Sequence, residues 1–469
     1  MNFQMSLTQL RQMMVQLKTL TSKQQRTNKD IDITIHTDTR RNKVRFIATQ
    51  GIELVFHHQV NVKNEGVAFV QFSTLDSFLQ RSIKSAKEKK IKELPCDFIV
   101  EDELLTVRNS ETHATESQFH YKQVFNNHLT HRQYKEIKTD PILFSAALAG
   151  VIDMAISFSS DPYTDIQFDV QPSELNVYGT NGRSGYFKNI QWYEADTRSV
   201  TRLYNALPQN KFGSAMKCLR MKSLNGIKLA KLFNGEEVIE FKLMQKADRF
   251  LILRLITNSV ELAVEIDNAN SLKNLIQDGI KKFNGPSATD KKLSQKHGLG
   301  YVPEFEYVSV QKETMIETLK AAKEYAGHNL FTGDEQTCLL RFQAGAQNCH
   351  QEDTVTVVSI PDERDCYFEA TIDSREHLFL KSFDAVFNIK ALINAVSTVT
   401  DVDGWIDFVL PVVSTQPTHV YPILIVMPSD RSRCLEISEE CVVLLPYRLD
   451  SSTVFIHAMK AIQEEDEES

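Results

Sequence analysis

EECVVLLPYRLD, residues 439–450, is the stretch that decides the fold of this chain. Glu439 and Glu440 lead into Cys441, Val442, Val443, Leu444 and Leu445, and Pro446, Tyr447, Arg448 and Leu449 close the run. A short apolar run bounded by acids and proline reads as a strand. Twenty residues follow Leu449 and end in an acidic tail.

Working outward, the same kind of strand precedes a helical pattern three times. AFVQFSTLDSFLQRSI (68–83), KCLRMKSLNGIKLAKLF (217–233) and FDAVFNIKALINAV (383–396) each run from a β-like segment through a polar residue into helical spacing. Phe72, Met221 and Phe387 each have an apolar residue six positions on: Phe78, Ile227 and Ile393. Ser73 or Thr74, Ser223 and Asn388 are the expected N-caps. A second helical segment precedes each: 5–20, 141–158 and 312–327. Between them lie β-like runs such as KVRFIAT, GVAFVQF, ELNVYGT, RFLILRLI, TVTVVSI and GWIDFVL. Strands outnumber helices, which implies an α+β protein of three similar domains with two helices each on mainly antiparallel sheets. The expected boundaries are 1–125, 126–280 and 305–449, with a polar linker over 281–304 and the acidic tail over 450–469.

Length and composition agree with several globular domains: 469 residues, 42% hydrophobic and 24% charged. No apolar run has membrane-spanning length and the N-terminus lacks a signal-peptide pattern, so a cytoplasmic location with no membrane partner is expected. Seven irregularly spaced cysteines fit reduced thiols. The net charge is −8, of which Glu464, Glu465, Asp466, Glu467 and Glu468 carry five, leaving −3 for the rest. Such a protein does not grip nucleic acid over its whole surface, although one face can still be basic.

The order of these elements resembles the bacterial replicative sliding clamps, the beta subunit of DNA polymerase III. MNFQMSLTQLRQMM is similar to that family's opening strand and helix, and KVRFIATQGIELVFHHQV to the strand pair after it. ELNVYGTNGRSGYF (174–187) resembles the Thr-Asp-Gly-His-Arg-Leu segment, and VVLLPYRL (442–449) the Val-Val-Met-Pro-Met-Arg-Leu ending. The resemblance implies a non-enzymatic processivity factor: a homodimeric ring around double-stranded DNA, without sequence preference, needing no cofactor or metal. Partners implied are a DNA polymerase, other clamp-binding proteins and a separate ATP-driven clamp loader, all in the cytoplasm with the nucleoid. It also implies a pocket for partner peptides, here Thr180, Gly182, Val443, Leu445, Pro446, Tyr447, Arg448 and Leu449. Asn181, Arg183, Ser184 and Gly185 depart from the family segment, and Tyr447 stands where the family has Met.

A sliding ring needs Lys and Arg near phosphates. RSIKSAKEKKIK (81–92) is the richest basic stretch, with Arg81, Lys84 and Lys87 near one helical face. Arg11, Lys18, Lys228, Lys231, Lys320, Lys323 and Lys390 are the further DNA-binding candidates. Each taken singly reads equally well as a solvated surface charge.

Other chemistry finds little footing. TNGRSG (180–185) lacks a phosphate-loop pattern, and Asn181-Gly182 reads as a hairpin turn. Cys338, Cys349, His350 and Cys366 have no Cys-x-x-Cys spacing and read as buried or incidental thiols rather than a zinc site. The acids of PDERDCYFEATID (361–373) have no companion cluster, and no catalytic constellation emerges. Two alternatives stand beside the clamp: a clamp-like protein scaffold that does not encircle DNA, and a metal-dependent DNA-processing enzyme.

Overall fold

The computed structural model describes residues 1–21, 31–49, 52–90, 94–101, 104–109, 114–119, 135–136, 142–159, 166–170, 174–181, 184–191, 197–206, 218–221, 228–246, 250–269, 305–326, 336–343, 354–359, 368–378, 383–411, 423–426 and 440–445. The protein forms two compact units. One comprises Met1–Ile156, Asp165–Leu175 and Ile190–Asn270; the other comprises Ser157–Thr164, Asn176–Asn189 and Ser271–Ser469.

One order of elements occurs three times along the sequence. First come β1 (Asn2–Ser6), α1 (Leu7–Thr21), β2 (Asp32–Asp38), β3 (Lys43–Thr49), β4 (Ile52–Gln59), a short β5 (Val62–Asn64), β6 (Gly66–Gln71), α2 (Phe72–Lys89), β7 (Pro95–Glu101), β8 (Leu104–Asn109) and β9 (Ala114–Phe119). After β10 (Lys135–Glu136) the order returns as β11 (Ile142–Ser145), α3 (Ala147–Phe158), β12 (Ile166–Val170), β13 (Glu174–Thr180), β14 (Ser184–Gln191), α4 (Thr197–Ala206), β15 (Cys218–Met221), α5 (Leu229–Leu232), β16 (Val238–Lys246), β17 (Phe250–Ile256) and β18 (Val260–Ala269). It closes as β19 (Phe305–Gln311), α6 (Lys312–Tyr325), β20 (Thr337–Gln343), β21 (Thr354–Ser359), β22 (Glu369–Ile372), β23 (Ser374–Leu378), β24 (Phe383–Asn388), α7 (Ile389–Thr398), β25 (Trp405–Pro411), β26 (Ile423–Val426) and β27 (Glu440–Leu444).

The repeats share a junction in which a strand passes into a helix with at most one intervening residue. The first amides of a helix have no partner within it and must be satisfied from outside. Here the carbonyl of the residue just before a neighbouring strand supplies the acceptor. Leu7 N–H donates to Leu94 O (2.8 Å), Ala146 N–H to Glu237 O (3.0 Å) and Lys312 N–H to Gly404 O (2.8 Å). The strands on either side are in matching register: Ser6 opposite Pro95, Ser145 opposite Val238, Gln311 opposite Trp405. The second helices of the first and third repeats do the same, Phe72 N–H to Ile31 O (2.8 Å) and Ile389 N–H to Gln336 O (3.0 Å).

This junction corrects the expected cap of α2. Gln71 holds the N-cap position, with no side-chain hydrogen bond, instead of Ser73 or Thr74. Because Ile31 satisfies the first amide, the strand runs on to Gln71 and the helix begins two or three residues earlier than the hydroxyls suggest. Asn388 caps α7 as expected, its Oδ1 accepting from Ala391 N–H at 2.9 Å. Ser223 lies outside the described residues. The helix expected from 141 begins at Ala147, because residues 142–145 are held as a strand against β16. At α1, Ser6 and Gln9 form a reciprocal capping box, the oxygen of each accepting from the other's backbone N–H at 3.1 Å.

The amphipathic helices then cover their sheets. Helix α2 buries Phe72, Leu75, Phe78, Leu79, Ser82 and Ala86, and α6 buries Met315, Leu319 and Ala322. Between β1, β7 and β3, Phe3 stacks on Phe98 at 4.7 Å while Phe46 meets both edge-on. Aromatic clusters of this kind supply much of the apolar burial in a small core.

Two long-range strand pairings join successive repeats. In the first unit β4 pairs antiparallel with β18, from Phe56 opposite Val260 to Ile52 opposite Val264. In the second unit β14 pairs antiparallel with β27, from Ser184 opposite Leu444 to Lys188 opposite Glu440. The strand ending one repeat's first antiparallel set thus pairs with the strand ending the next repeat's second set. By that rule β22 and β9 are left over. Each pairs on one edge among the described residues, β22 with β21 and β9 with β8.

A buried polar group sits at the β4–β18 pairing. Glu261 receives the Arg254 guanidinium at 2.6 and 2.7 Å, and His57 Nε2 lies 4.0 Å from its other oxygen. Burial, then the charges of Lys43, Arg45, His58 and Arg254, pushes His57 down to about 4. Burial lowers His58 as well. A histidine lowered on folding contributes stability that is complete above its unfolded pKa near 6.5 and is lost as pH falls toward 4. Glu261 is raised by burial and so acts in the opposite sense on acidification. Comparison with a variant isolates the histidine. Between pH 7 and 4.5, His57→Gln should lose about 2–3 kcal/mol less stability than the wild type. Urea unfolding at the two pH values measures this, and parallel curves would remove His57 as the cause.

Candidate functional site

All ten basic candidates for DNA contact lie in the described residues, and all are exposed: Arg11, Lys18, Arg81, Lys84, Lys87, Lys228, Lys231, Lys320, Lys323 and Lys390. Nine are helical, and Lys228 is the N-cap of α5. On α2, Arg81, Lys84 and Lys87 stand opposite the buried Leu75–Phe78–Leu79 side, so they project into solvent as a stripe. Lys89 ends the helix, and the C-cap Lys90 adopts a left-handed φ of 54°.

The helices of the first unit are tied by specific contacts. Asp153 on α3 accepts from Leu229 N–H (2.8 Å) and Ala230 N–H (2.9 Å), so a carboxylate far upstream supplies the cap that Lys228 cannot. Gln16 on α1 donates to Leu232 O at 3.0 Å. Sequence reading did not single out Asp153, because its partners are backbone amides distant in sequence. It also did not place α4, whose Val200 and Leu203 are buried.

The peptide-pocket candidates fall at the β13–β14 hairpin and the end of β27. The hairpin closes as Asn181 N–H donates to Ser184 O (3.1 Å), Ser184 N–H to Asn181 Oδ1 (2.7 Å) and Thr180 Oγ1 to Ser184 O (2.9 Å). Asn181 and Ser184 thus close the hairpin, and Gly182, the other residue of the expected turn, lies outside the described residues. Because Ser184 pairs with Leu444 and Gly185 with Val443, the hairpin brings Thr180 to the end of β27. Thr180 and Leu445 are half-buried and Val443 is fully buried. Gly182, Pro446, Tyr447, Arg448 and Leu449 lie outside the described residues.

A carboxylate that sequence reading did not assign ties this region together. Glu440 Oε1 accepts from the Tyr186 hydroxyl at 2.9 Å. Its Oε2 accepts from Thr400 Oγ1 at 2.7 Å and Thr400 N–H at 3.3 Å, and lies 3.3 Å from Lys188 Nζ. Burial and the neighbouring Glu440 charge raise the Tyr186 phenol, which therefore remains the donor. A clue existed: Glu440 shares the strand face of Val442 and Leu444, and an acid with that parity must find partners.

Among the described residues no group of three or more His, Cys, Asp and Glu could hold a metal. Cys338 is fully buried in β20 and burial pushes its thiol up to about 12, as expected of a structural cysteine; Cys349, His350 and Cys366 lie outside the described residues. No described helix is long and apolar enough to cross a membrane.

No protein-family model and no curated protein matches the sequence. Solved structures do match, over nearly its whole length. The beta subunit of DNA polymerase from Streptococcus pyogenes aligns over 96% of this protein and 100% of its own length, with a TM-score of 0.63 at 10% identity. The DNA polymerase sliding clamp of Bacillus subtilis gives 96%, 99%, 0.64 and 14%. The Helicobacter pylori beta clamp, solved with a DNA ligase peptide bound, gives 95%, 100%, 0.59 and 12%. The fold is therefore that of a DNA clamp, α+β with helices packed on antiparallel sheets. More particularly, it is the fold of the bacterial beta sliding clamps.

Proposed function

We propose that the protein is a DNA sliding clamp: a non-enzymatic processivity factor that closes as a homodimeric ring around duplex DNA and tethers a polymerase and other clamp-binding proteins. Three clamp domains, 1–125, 126–280 and 305–449, with a linker over 281–304 and a tail over 450–469, follow the three repeats. Contact with DNA runs through the basic helical positions without sequence reading. Loading falls to a separate ATP-driven loader, and the setting is the cytoplasm, at the nucleoid. Partner peptides dock at the half-buried Thr180 and Leu445, beside the buried Val443. Tethering there raises a partner's effective concentration at DNA.

The observation that carries this reading is the unfinished pairing rule. β4–β18 and β14–β27 join successive repeats, and among the described residues β22 and β9 each pair on one edge alone. A second copy placed head to tail satisfies both edges and closes the assembly without leaving an open end. Sedimentation is expected to give about twice the 53.6 kDa mass of the monomer. Successive residues of an antiparallel strand point their N–H groups to opposite edges. One of Ala370→Pro and Thr371→Pro therefore removes a donor from the free edge of β22 and should yield monomers. A monomeric wild type would favour the protein-scaffold alternative, and dimers in both variants would move the interface elsewhere.

A further inference from the structure

We propose that Glu440 is a positioning residue for the peptide-binding face, setting the hairpin and the C-terminal strand against the segment that leaves α7. The inference rests on the peptide reading above. Its basis is the convergence on one 6%-exposed carboxylate of donors from separate parts of the second unit. Tyr186 and Lys188 come from β14, and Thr400 comes from the turn after α7.

The geometry explains why a charge belongs there. Lys188 lies directly opposite Glu440 across the β14–β27 ladder, and Tyr186, two residues earlier, is on the same face. Phe158 stacks on Tyr186 at 5.8 Å and limits the movement of its ring. Thr400 closes the other side with two hydrogen bonds to one oxygen. The adjoining turn is held again by Lys312, the first residue of α6, which donates to Val399 O at 2.7 Å and lies 3.6 Å from Asp401. The opposite face of the same two strands carries Gly185 and Val443, both buried, and the half-buried Thr180 and Leu445 at the strand ends are the groups a peptide would meet. A site built on supporting hydrogen bonds holds its geometry only as well as those bonds do.

The test uses the full-length protein and, as probe, the DNA ligase peptide of the Helicobacter pylori complex. Glu440→Gln, Thr400→Val and the double variant are compared for peptide Kd, thermal midpoint and sedimenting mass. Glu440→Gln is expected to raise Kd about two- to thirty-fold, the range for residues that act on a site without touching its ligand. The double variant should match Glu440→Gln alone, because both act through one link. A merely structural residue would lower the midpoint and leave the Kd of the folded protein unchanged; that result overturns the proposal. Tyr186→Phe, which keeps the ring and removes the donor, carries the same test if Glu440→Gln does not fold. If the wild type fails to bind the probe, the peptide reading itself falls and this inference with it.

Discussion

Charge reversal of Lys84 and Lys87 together is expected to cut the salt dependence of duplex DNA binding by roughly 2 in the slope of log K against log salt. Each phosphate contact contributes a slope of about 0.9, and both lysines stand exposed on one stripe of α2. Referred to 1 M salt, where the counterion term vanishes, that change amounts to roughly 200-fold weaker binding at 50 mM and about 20-fold at 200 mM. The buried side of α2 is untouched, so the fold should persist. Anisotropy of a labelled duplex across a salt series reads both quantities. Lys63→Glu, an exposed lysine on β5, is the control. Equal slopes for the double variant and the wild type would mean that this helix does not meet DNA, and the ring reading would lose its basic lining at that point.

Asp153→Ala should destabilise the first unit by about 3 kcal/mol. Two backbone amides lose a charged acceptor, and hydrogen bonds to charged groups contribute about 1.5–3 kcal/mol each. One of the two amides belongs to Leu229, which is fully buried. Asp153→Asn keeps one acceptor oxygen and should cost about half as much. In a unit of this size the alanine variant corresponds to a fall in Tm of roughly 6–12 °C. A four-residue helix has no stability of its own. The local consequence should therefore be loss of protection at Leu229–Leu232 in hydrogen exchange. An unchanged melting curve would show that another group caps α5.

Periodicity made most elements readable, and local chemistry set their edges less well. KVRFIAT and ELNVYGT became β3 and β13 with the same limits, because alternation and flanking turn residues act within a few positions. Asn388 was readable as a cap because its acceptor lies three residues from its donor. Gln71 was not, because the partner of the following amide is Ile31, just ahead of a strand distant in sequence. The basic helical positions were visible as composition, and their exposure followed from amphipathic spacing. Glu440 and Asp153 were hidden for a common reason. Each is defined by groups that meet only after the protein has folded, Tyr186 and Thr400 in one case and Leu229 and Ala230 in the other.

The strand-to-helix junctions have one more consequence. Their defining bonds run from a backbone N–H to a backbone carbonyl, at Leu7, Phe72, Ala146, Lys312 and Ile389. Any residue other than proline can stand at such a donor, so a lineage can replace nearly every letter around the junction and keep the turn of the backbone. Bonds of that kind fix the path through space without fixing the letters, and the same fold over nearly the whole length is found here at 10–14% identity.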